Sequence, residues 1–149
     1  MLSKNKIKLI KSLDQKKYRT EHNLFVVEGE KLCNELIHSQ FVVGEKPFEI
    51  AELFYTLSWK QKHLEDLEEL NVTSTEVTES ELQKVSQLKT SNQVLALVKI
   101  PQKKIPRYDD DLVLVLDGVR DPGNMGTIMR TADWFGIKEL ICSADCVDA

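Results

Sequence analysis

One stretch constrains this chain more than any other: Asp117-Gly-Val-Arg-Asp-Pro-Gly-Asn-Met-Gly-Thr-Ile-Met-Arg-Thr-Ala-Asp133. It follows the apolar run Leu112-Val-Leu-Val-Leu116, which reads as a buried strand. Asp-Pro-Gly-Asn is a tight turn able to start a helix, and Asn124 is expected to be its N-cap. Apolar residues then recur at Met125, Ile128, Met129, Ala132 and Phe135, which is helical spacing. A buried strand, a polar turn and a helix form the place where open α/β sheets put ligands. Asn124 and Arg130 lie off the apolar stripe, so both can face a substrate.

The rest of the chain reads as alternating elements. Residues 4 to 15 predict a helix through Ile7, Ile10 and Leu13. Leu24 to Val27 predicts a strand, closed by Glu28-Gly29, and Glu30 to His38 a helix through Leu32, Cys33, Leu36 and Ile37. A further strand is expected near Phe41 to Val43, at Ala51 to Leu57, or at both. Trp59 to Leu70 reads as one acidic helix with Leu64, Leu67 and Leu70 inward, and Asn71 to Thr75 as β-like. Thr78-Glu-Ser-Glu81 has the form of a capping box, opening a short helix marked by Leu82, Val85 and Leu88. Val94 to Ile100 is a strand. Alternation of this kind predicts a parallel or mixed sheet covered by helices. Pro101 to Pro106, followed by Asp109 to Asp111, reads as an inter-domain linker over residues 101–111. It separates residues 1–100 from a new α/β unit at residues 112–149.

Composition is that of an ordinary soluble protein, and three cysteines argue against a disulfide framework, so a reducing cytoplasm is the simplest compartment. No apolar run is long enough for a transmembrane helix, and the N-terminus lacks a signal peptide's apolar core. A net charge of −4 counts against nucleic acid until its distribution is read. Lys4, Lys6, Lys8, Lys11, Lys16, Lys17 and Arg19 crowd the N-terminus, whereas residues 45–81 are dominated by glutamates. Lys4, Lys8 and Lys11 share one side of the first predicted helix, and Lys16, Lys17 and Arg19 extend it. A solvated helix face and a phosphate-contacting surface both fit that pattern. Tyr18 and His22 fit either stacking on an unpaired base or packing within the domain. His38 and His63 have no matching metal ligands nearby. Cys142 and Cys146 lack a second ligand pair, so no metal site is expected. Trp134 and Phe135 are expected in a core or an interface.

The string from Asp121 to Ala132 resembles the first signature motif of the SpoU (TrmH-type) RNA ribose 2′-O-methyltransferases, of the SPOUT class: a strand, then Asp-Pro-x-Asn-x-Gly, then a helix carrying Arg-Thr-Ala. The earlier residues resemble the same enzymes. A basic helix, then Arg19, Phe25, Val26, Val27, Glu28 and Gly29, then Val94 to Val98 are similar to their substrate-binding domain, with Asn92-Gln93 replacing the usual glycine-bearing version. The resemblance implies an α/β sandwich RNA-binding domain of L30e/L7Ae type over residues 1–100. It further implies the opening β-α-β of a knotted SPOUT domain over residues 112–149, cut before the knot. It also implies S-adenosylmethionine as cofactor, bound by residues downstream of Ala149. Ribosomal or transfer RNA is the implied substrate, and a homodimer the implied assembly. The isolated fragment is then expected to be inactive.

On that resemblance Arg130 is the residue at the ribose and Asn124 helps shape the catalytic centre. Ribose 2′-O-methylation needs a hydroxyl held in line with a methyl sulfonium, and positioning with charge stabilisation does the work. An arginine is a poor base in water, because its pKa lies above about 12, but it can hold the 2′-oxygen and stabilise a developing alkoxide. Gly123 and Gly126 are expected to permit the turn and close packing, and Arg120 and Asp121 to pair with each other. The alternative is a non-catalytic RNA-binding module of L30e type, which leaves the string from Asp121 to Ala132 unexplained. A small-molecule Rossmann enzyme fits less well, since no Gly-x-Gly-x-x-Gly turn follows the first strand.

Overall fold

The apolar run at the end of the first hundred residues sets the architecture. In a computed structural model of the protein, which describes residues 1–41, 48–88, 92–101 and 112–147, the chain divides into two compact units, Met1–Gln102 and Lys103–Ala149. Most of the expected linker, residues 102–111, lies outside the described residues, as does the Val42–Val43 part of the expected early strand.

The first unit contains helices α1 (Lys4–Ser12) and α2 (Lys16–His22), strand β1 (Leu24–Glu28), helix α3 (Glu30–Ser39) and strand β2 (Ile50–Tyr55). Helices α4 (Leu57–Lys62) and α5 (Leu64–Glu69), strand β3 (Ser74–Glu76), helix α6 (Glu79–Val85) and strand β4 (Val94–Lys99) follow. The sheet order is β1-β4-β2-β3. β4 runs antiparallel to both its neighbours, while β2 and β3 are parallel, so the sheet is mixed as expected. A strand with neighbours on both edges and helices on both faces must be apolar at every position. Val94, Ala96 and Val98 accordingly pack with Cys33, Leu36, Ile37, Leu53 and Trp59 on one face. Leu95 and Leu97 pack with Ile10, Leu13, Phe54, Leu82 and Val85 on the other. The period-two alternation of side chains across the sheet produces this division. Burial pushes the Cys33 thiol up to about 12, which makes it a structural and unreactive group.

Local chemistry explains the departures from the expected elements. The N-terminal helix stops at Ser12, and Lys16–His22 forms a separate helix, ended by Asn23 in the left-handed region at φ 53°. The single helix expected over Trp59 to Leu70 is broken at His63, whose φ −128°, ψ 34° lies outside the helical region. The His63 ring stacks on Trp59 at 4.5 Å between centroids and bonds to Asp66 at 3.3 Å and Glu30 at 3.4 Å. With the break, Leu64 faces solvent while Leu70 remains buried. Leu88, expected on the inner face of α6, lies beyond its end and is also exposed.

The capping box is present in full. The Thr78 hydroxyl accepts from the Glu81 N–H at 3.2 Å and the Glu81 carboxylate accepts from the Thr78 N–H at 3.0 Å. Glu81 also accepts from the Leu2 N–H at 2.7 Å, which ties the start of the chain to α6. These backbone donors, Thr78 first and Leu2 second, hold the Glu81 carboxyl below the ordinary glutamate value. A depressed folded-state pKa means that the unfolded chain binds more protons on the acid side. The stabilisation is therefore complete above the unfolded value of about 4.3 and is lost as pH falls through the lower folded value. Glu81→Gln is expected to flatten the acid limb of the thermal unfolding midpoint between about pH 5 and pH 3. An acid limb as steep as that of the wild type would remove Glu81 from the account.

Candidate functional site

The second unit contains strand β5 (Leu114–Leu116), helix α7 (Pro122–Trp134) and strand β6 (Leu140–Cys142). β5 and β6 pair in parallel, with Leu114, Val115 and Leu116 opposite Leu140, Ile141 and Cys142. The motif thus lies on a strand, a loop and a helix. The strand is shorter than the apolar run and less covered: Leu112 and Val115 are exposed, and only Leu116 is buried among its apolar residues. Met125 and Ala132 on α7 are buried, and Met125 packs with Leu116 and Cys146. Met129, Trp134 and Phe135 are exposed, so the buried stripe of α7 is narrower than its apolar periodicity.

Asp121, rather than Asn124, is the N-cap of α7. Its Oδ1 accepts from the Asn124 N–H at 2.7 Å. Pro122 occupies the first helical position, where its missing N–H has no helical partner to lose and its fixed φ favours the helix. A Cβ on Gly123 would sit 3.1 Å from Asp121 Oδ1, so a larger residue there presses on the capping carboxylate itself. This cap frees the Asn124 side chain to face solvent. Asp121→Ala is expected to destabilise the second unit by about 1 kcal/mol, the usual worth of an N-cap. Asn124→Ala should leave stability within a few tenths, and chemical denaturation followed by helical circular dichroism separates the two. Equal losses would return the capping role to Asn124.

Arg130 stands on the exposed surface of α7. Its Nη2 lies 3.4 Å from Thr127 Oγ1, and its Nη1 lies 3.6 Å from where a Gly126 Cβ would be. The side chain therefore folds back toward the start of the helix, as helical side chains do. The Thr127 hydroxyl donates to the Gly123 carbonyl at 2.9 Å, which leaves its oxygen available to the guanidinium. Arg120 does not pair with Asp121; its Nη2 lies 3.5 Å from Asp145 Oδ2.

In the first unit, Lys4, Lys8 and Lys11 are exposed along one face of α1, whose N-cap Ser3 accepts from the Lys6 N–H at 3.2 Å. Lys6 points elsewhere and pairs with Glu52 of β2 at 2.5 Å. Lys16 and Lys17 are exposed on α2, with the Lys17 ammonium 5.6 Å from the Tyr18 ring centroid. Arg19 is half-buried, and its Nη1 donates to the Leu13 carbonyl at 2.9 Å and the Asp14 carbonyl at 2.7 Å. It thereby closes the end of α1 against α2, a role that a run of basic residues does not signal. Tyr18 is half-buried and His22 exposed. An open cleft of about 610 Å³ at the starts of α4 and α6 carries Glu76, Glu79 and Glu81, so its charge opposes a phosphate. Among the described residues no helix is long and apolar enough to cross a membrane, and no group of three or more His, Cys, Asp or Glu is arranged for a metal ion.

Comparison with known proteins places these features in context. Residues 4–96 match the MRM3-like substrate binding domain, and residues 111–149 match the SpoU rRNA Methylase family. The 23S rRNA (guanosine(2553)-2′-O)-methyltransferase RlmP of Bacillus subtilis is 31% identical over 97% of this chain and 53% of its own length. A protein of Porphyromonas gingivalis assigned to the TrmH family of RNA methyltransferases superposes with a TM-score of 0.79 at 33% identity, over 99% of this chain and 55% of that one. The AdoMet-bound rRNA methyltransferase of Sinorhizobium meliloti gives 0.75 at 26% identity, over 99% and 54%. The chain spans about half the length of the curated relatives it matches.

Proposed function

Because the chain belongs to the SpoU rRNA methylase family and carries an MRM3-like substrate binding domain, we propose that it forms the RNA-docking and ribose-positioning part of an S-adenosylmethionine-dependent RNA 2′-O-methyltransferase. Ribosomal RNA is the substrate class, with transfer RNA the alternative. The observation that carries this reading is the placement of Arg130. It is an exposed guanidinium on the helix capped by Asp121-Pro122, folded back along that helix, and it has no part in the buried stripe.

Residues 1–100 act in this reading as an RNA-binding domain of L30e-like type, residues 101–111 as a linker, and residues 112–149 as the opening of a SPOUT domain. Lys4, Lys8, Lys11, Lys16 and Lys17 meet the phosphate backbone, where positive charge gains affinity by releasing counterions. Arg19 supports that surface from beneath, because two of its hydrogen bonds go to main-chain carbonyls. The enzyme works in the cytoplasm as a homodimer.

Arg130 holds the ribose 2′-oxygen through its planar N–H fork and stabilises negative charge as the oxygen becomes a nucleophile. Asn124 borders the same site, its side chain released by the Asp121 cap. The cleft beside α7 in the second unit does not by itself suit the methyl donor. The cleft of about 200 Å³ between α7 and β5 is lined by Leu114, Ile128, Ala132 and Phe135, with only the Thr127 and Thr131 hydroxyls as polar side chains. A ligand bearing a carboxylate, an ammonium and a ribose needs more partners than that. In this reading Arg130 and Asn124 act on the RNA side of the reaction.

The test uses the full-length protein containing these residues, methyl-labelled S-adenosylmethionine and ribosomal RNA transcripts. Nuclease digestion and mass spectrometry should recover the label as a 2′-O-methylnucleoside. Label on a base, or none on RNA, would overturn the reading.

A further inference from the structure

β6 ends at Cys142, and Ser143–Val147 then turns back along the loop that joins β5 to α7. Two backbone hydrogen bonds join the segments. The Ser143 N–H donates to the Leu116 carbonyl at 2.9 Å, and the Val147 N–H to the Val119 carbonyl at 2.8 Å. Side chains complete the contact. The Gly118 N–H donates to Ser143 Oγ at 3.0 Å, and the Ser143 hydroxyl donates to Asp145 Oδ1 at 2.8 Å. The Val119 N–H points at Cys146 Sγ at 3.3 Å, and the Cys146 thiol donates to the Leu116 carbonyl at 3.5 Å. Asp145 Oδ2 faces Arg120 Nη2 at 3.5 Å.

Two successive loop amides, those of Gly118 and Val119, are thus satisfied by side chains of the turn rather than by a strand or helix partner. Such bonds fix the loop's course only while those side chains are present. Gly118 sits in the left-handed region at φ 63°, which favours glycine, and a Cβ there would be in ordinary contact with Asp145 Oδ2 at 3.5 Å, so the turn lies directly against the loop. Three residues on from Gly118 is Asp121, whose carboxylate sets the first turn of α7 and hence the direction of Asn124 and Arg130. The Ser143 hydroxyl, with the Asp145 N–H and Arg120, holds the Asp145 carboxyl below the ordinary aspartate range, which agrees with the direction of these bonds.

We propose that Ser143 and Cys146 are positioning residues for the methyl-transfer reaction, clamping the Gly118–Arg120 loop so that Asp121 starts α7 with Arg130 in register with the ribose. This rests on the methyltransferase reading. Neither residue touches the reacting atoms, so both act through loop geometry, and misplacement by about 1 Å can reduce a rate by about a hundredfold.

The experiment compares Ser143→Ala, Ser143→Thr, Cys146→Ala and Cys146→Ser in the full-length protein. Amide hydrogen exchange at Gly118 and Val119 gives a readout independent of activity. Ser143→Ala should speed exchange at Gly118, and Cys146→Ala at Val119, each by about tenfold or more, with the amides inside α7 unchanged, because each loses the acceptor of its own hydrogen bond. Single-turnover rates on RNA should fall by about tenfold or more for both alanine variants, with KM for RNA within about twofold, the split expected when an interaction acts only on the chemical step. Ser143→Thr keeps the hydroxyl and should recover most of the rate. Cys146→Ser keeps a shorter acceptor and should recover part of it. If Ser143→Ala does not fold, Asp145→Asn tests the same clamp by weakening the bond that orients Ser143, with a smaller shift in the same direction. Faster exchange with an unchanged rate overturns the positioning role and leaves the methyltransferase reading standing. Unchanged exchange at both amides overturns the clamp. A wild-type protein that transfers no methyl group overturns the methyltransferase reading and this role with it, whatever the exchange data show.

Discussion

If Arg130 holds the ribose oxygen as proposed, Arg130→Lys should lower single-turnover methyl transfer by about a hundredfold or more, the scale on which losing one preorganised donor at a developing oxyanion is felt. RNA affinity should stay within about a factor of two. The two expectations come from different properties of the side chain. Lysine keeps the positive charge, so the long-range attraction that docks RNA is preserved. It loses the planar fork, which can hold an oxygen in a fixed direction with two parallel N–H groups, and replaces it with a rotating ammonium. Stability should not move, because the guanidinium is exposed and its hydrogen bond to the Thr127 hydroxyl is long, at 3.4 Å. Rates measured with saturating donor and RNA isolate the chemical step, and a binding titration reports docking separately. Full activity in Arg130→Lys would show that another residue faces the ribose.

The helix that carries Arg130 shows how far the sequence could be read. Apolar spacing located α7, and the exposure of Asn124 and Arg130 follows from their positions off the Met125–Ala132 stripe. The cap was misplaced by three residues because Asp121 and Asn124 are both good capping types. Pro122 held the deciding signal, since proline favours the first position inside a helix and so makes the residue before it the cap. The apolar run before the motif was equally visible, but its burial was not. Which side chains of β5 are covered depends on neighbouring elements, and Val115 turns to the open face. β4 was the easier case, because a run apolar at every position requires cover on both faces. Its antiparallel pairing with β1 and β2, and the sheet order, are long-range choices that periodicity does not encode. The break at His63 was hidden because leucine spacing continues through it, while the ring's stacking on Trp59 and its bond to Glu30 involve residues fixed only by the fold. Arg19 was hidden for a related reason. The carbonyls that receive it exist as free acceptors only because α1 ends where it does.

Replacing Lys4, Lys8 and Lys11 together with alanine should produce the opposite split from Arg130→Lys. RNA affinity at low salt should fall by about a hundredfold, while the single-turnover rate at saturating RNA stays near that of the wild type. The physical basis is counterion release, in which each phosphate contact contributes about 0.7 to 0.9 to the slope of log affinity against log salt. Loss of three contacts should flatten that slope by about two to three units, so the variant and the wild type converge as salt rises. Alanine is the best helix former, and the three side chains lie on the exposed face of α1, away from buried Ile10 and Leu13, so the helix itself should survive. Lys6 supplies an internal control on the same helix. Its ammonium is held by Glu52 of the sheet at 2.5 Å, so Lys6→Ala should disturb the seating of α1 and leave the salt slope unchanged. A slope lowered equally by Lys6→Ala would mean that charge anywhere on α1 suffices. A triple variant with an unchanged slope would make the lysine face a solvated surface, and RNA docking would then have to be sought elsewhere on the first unit.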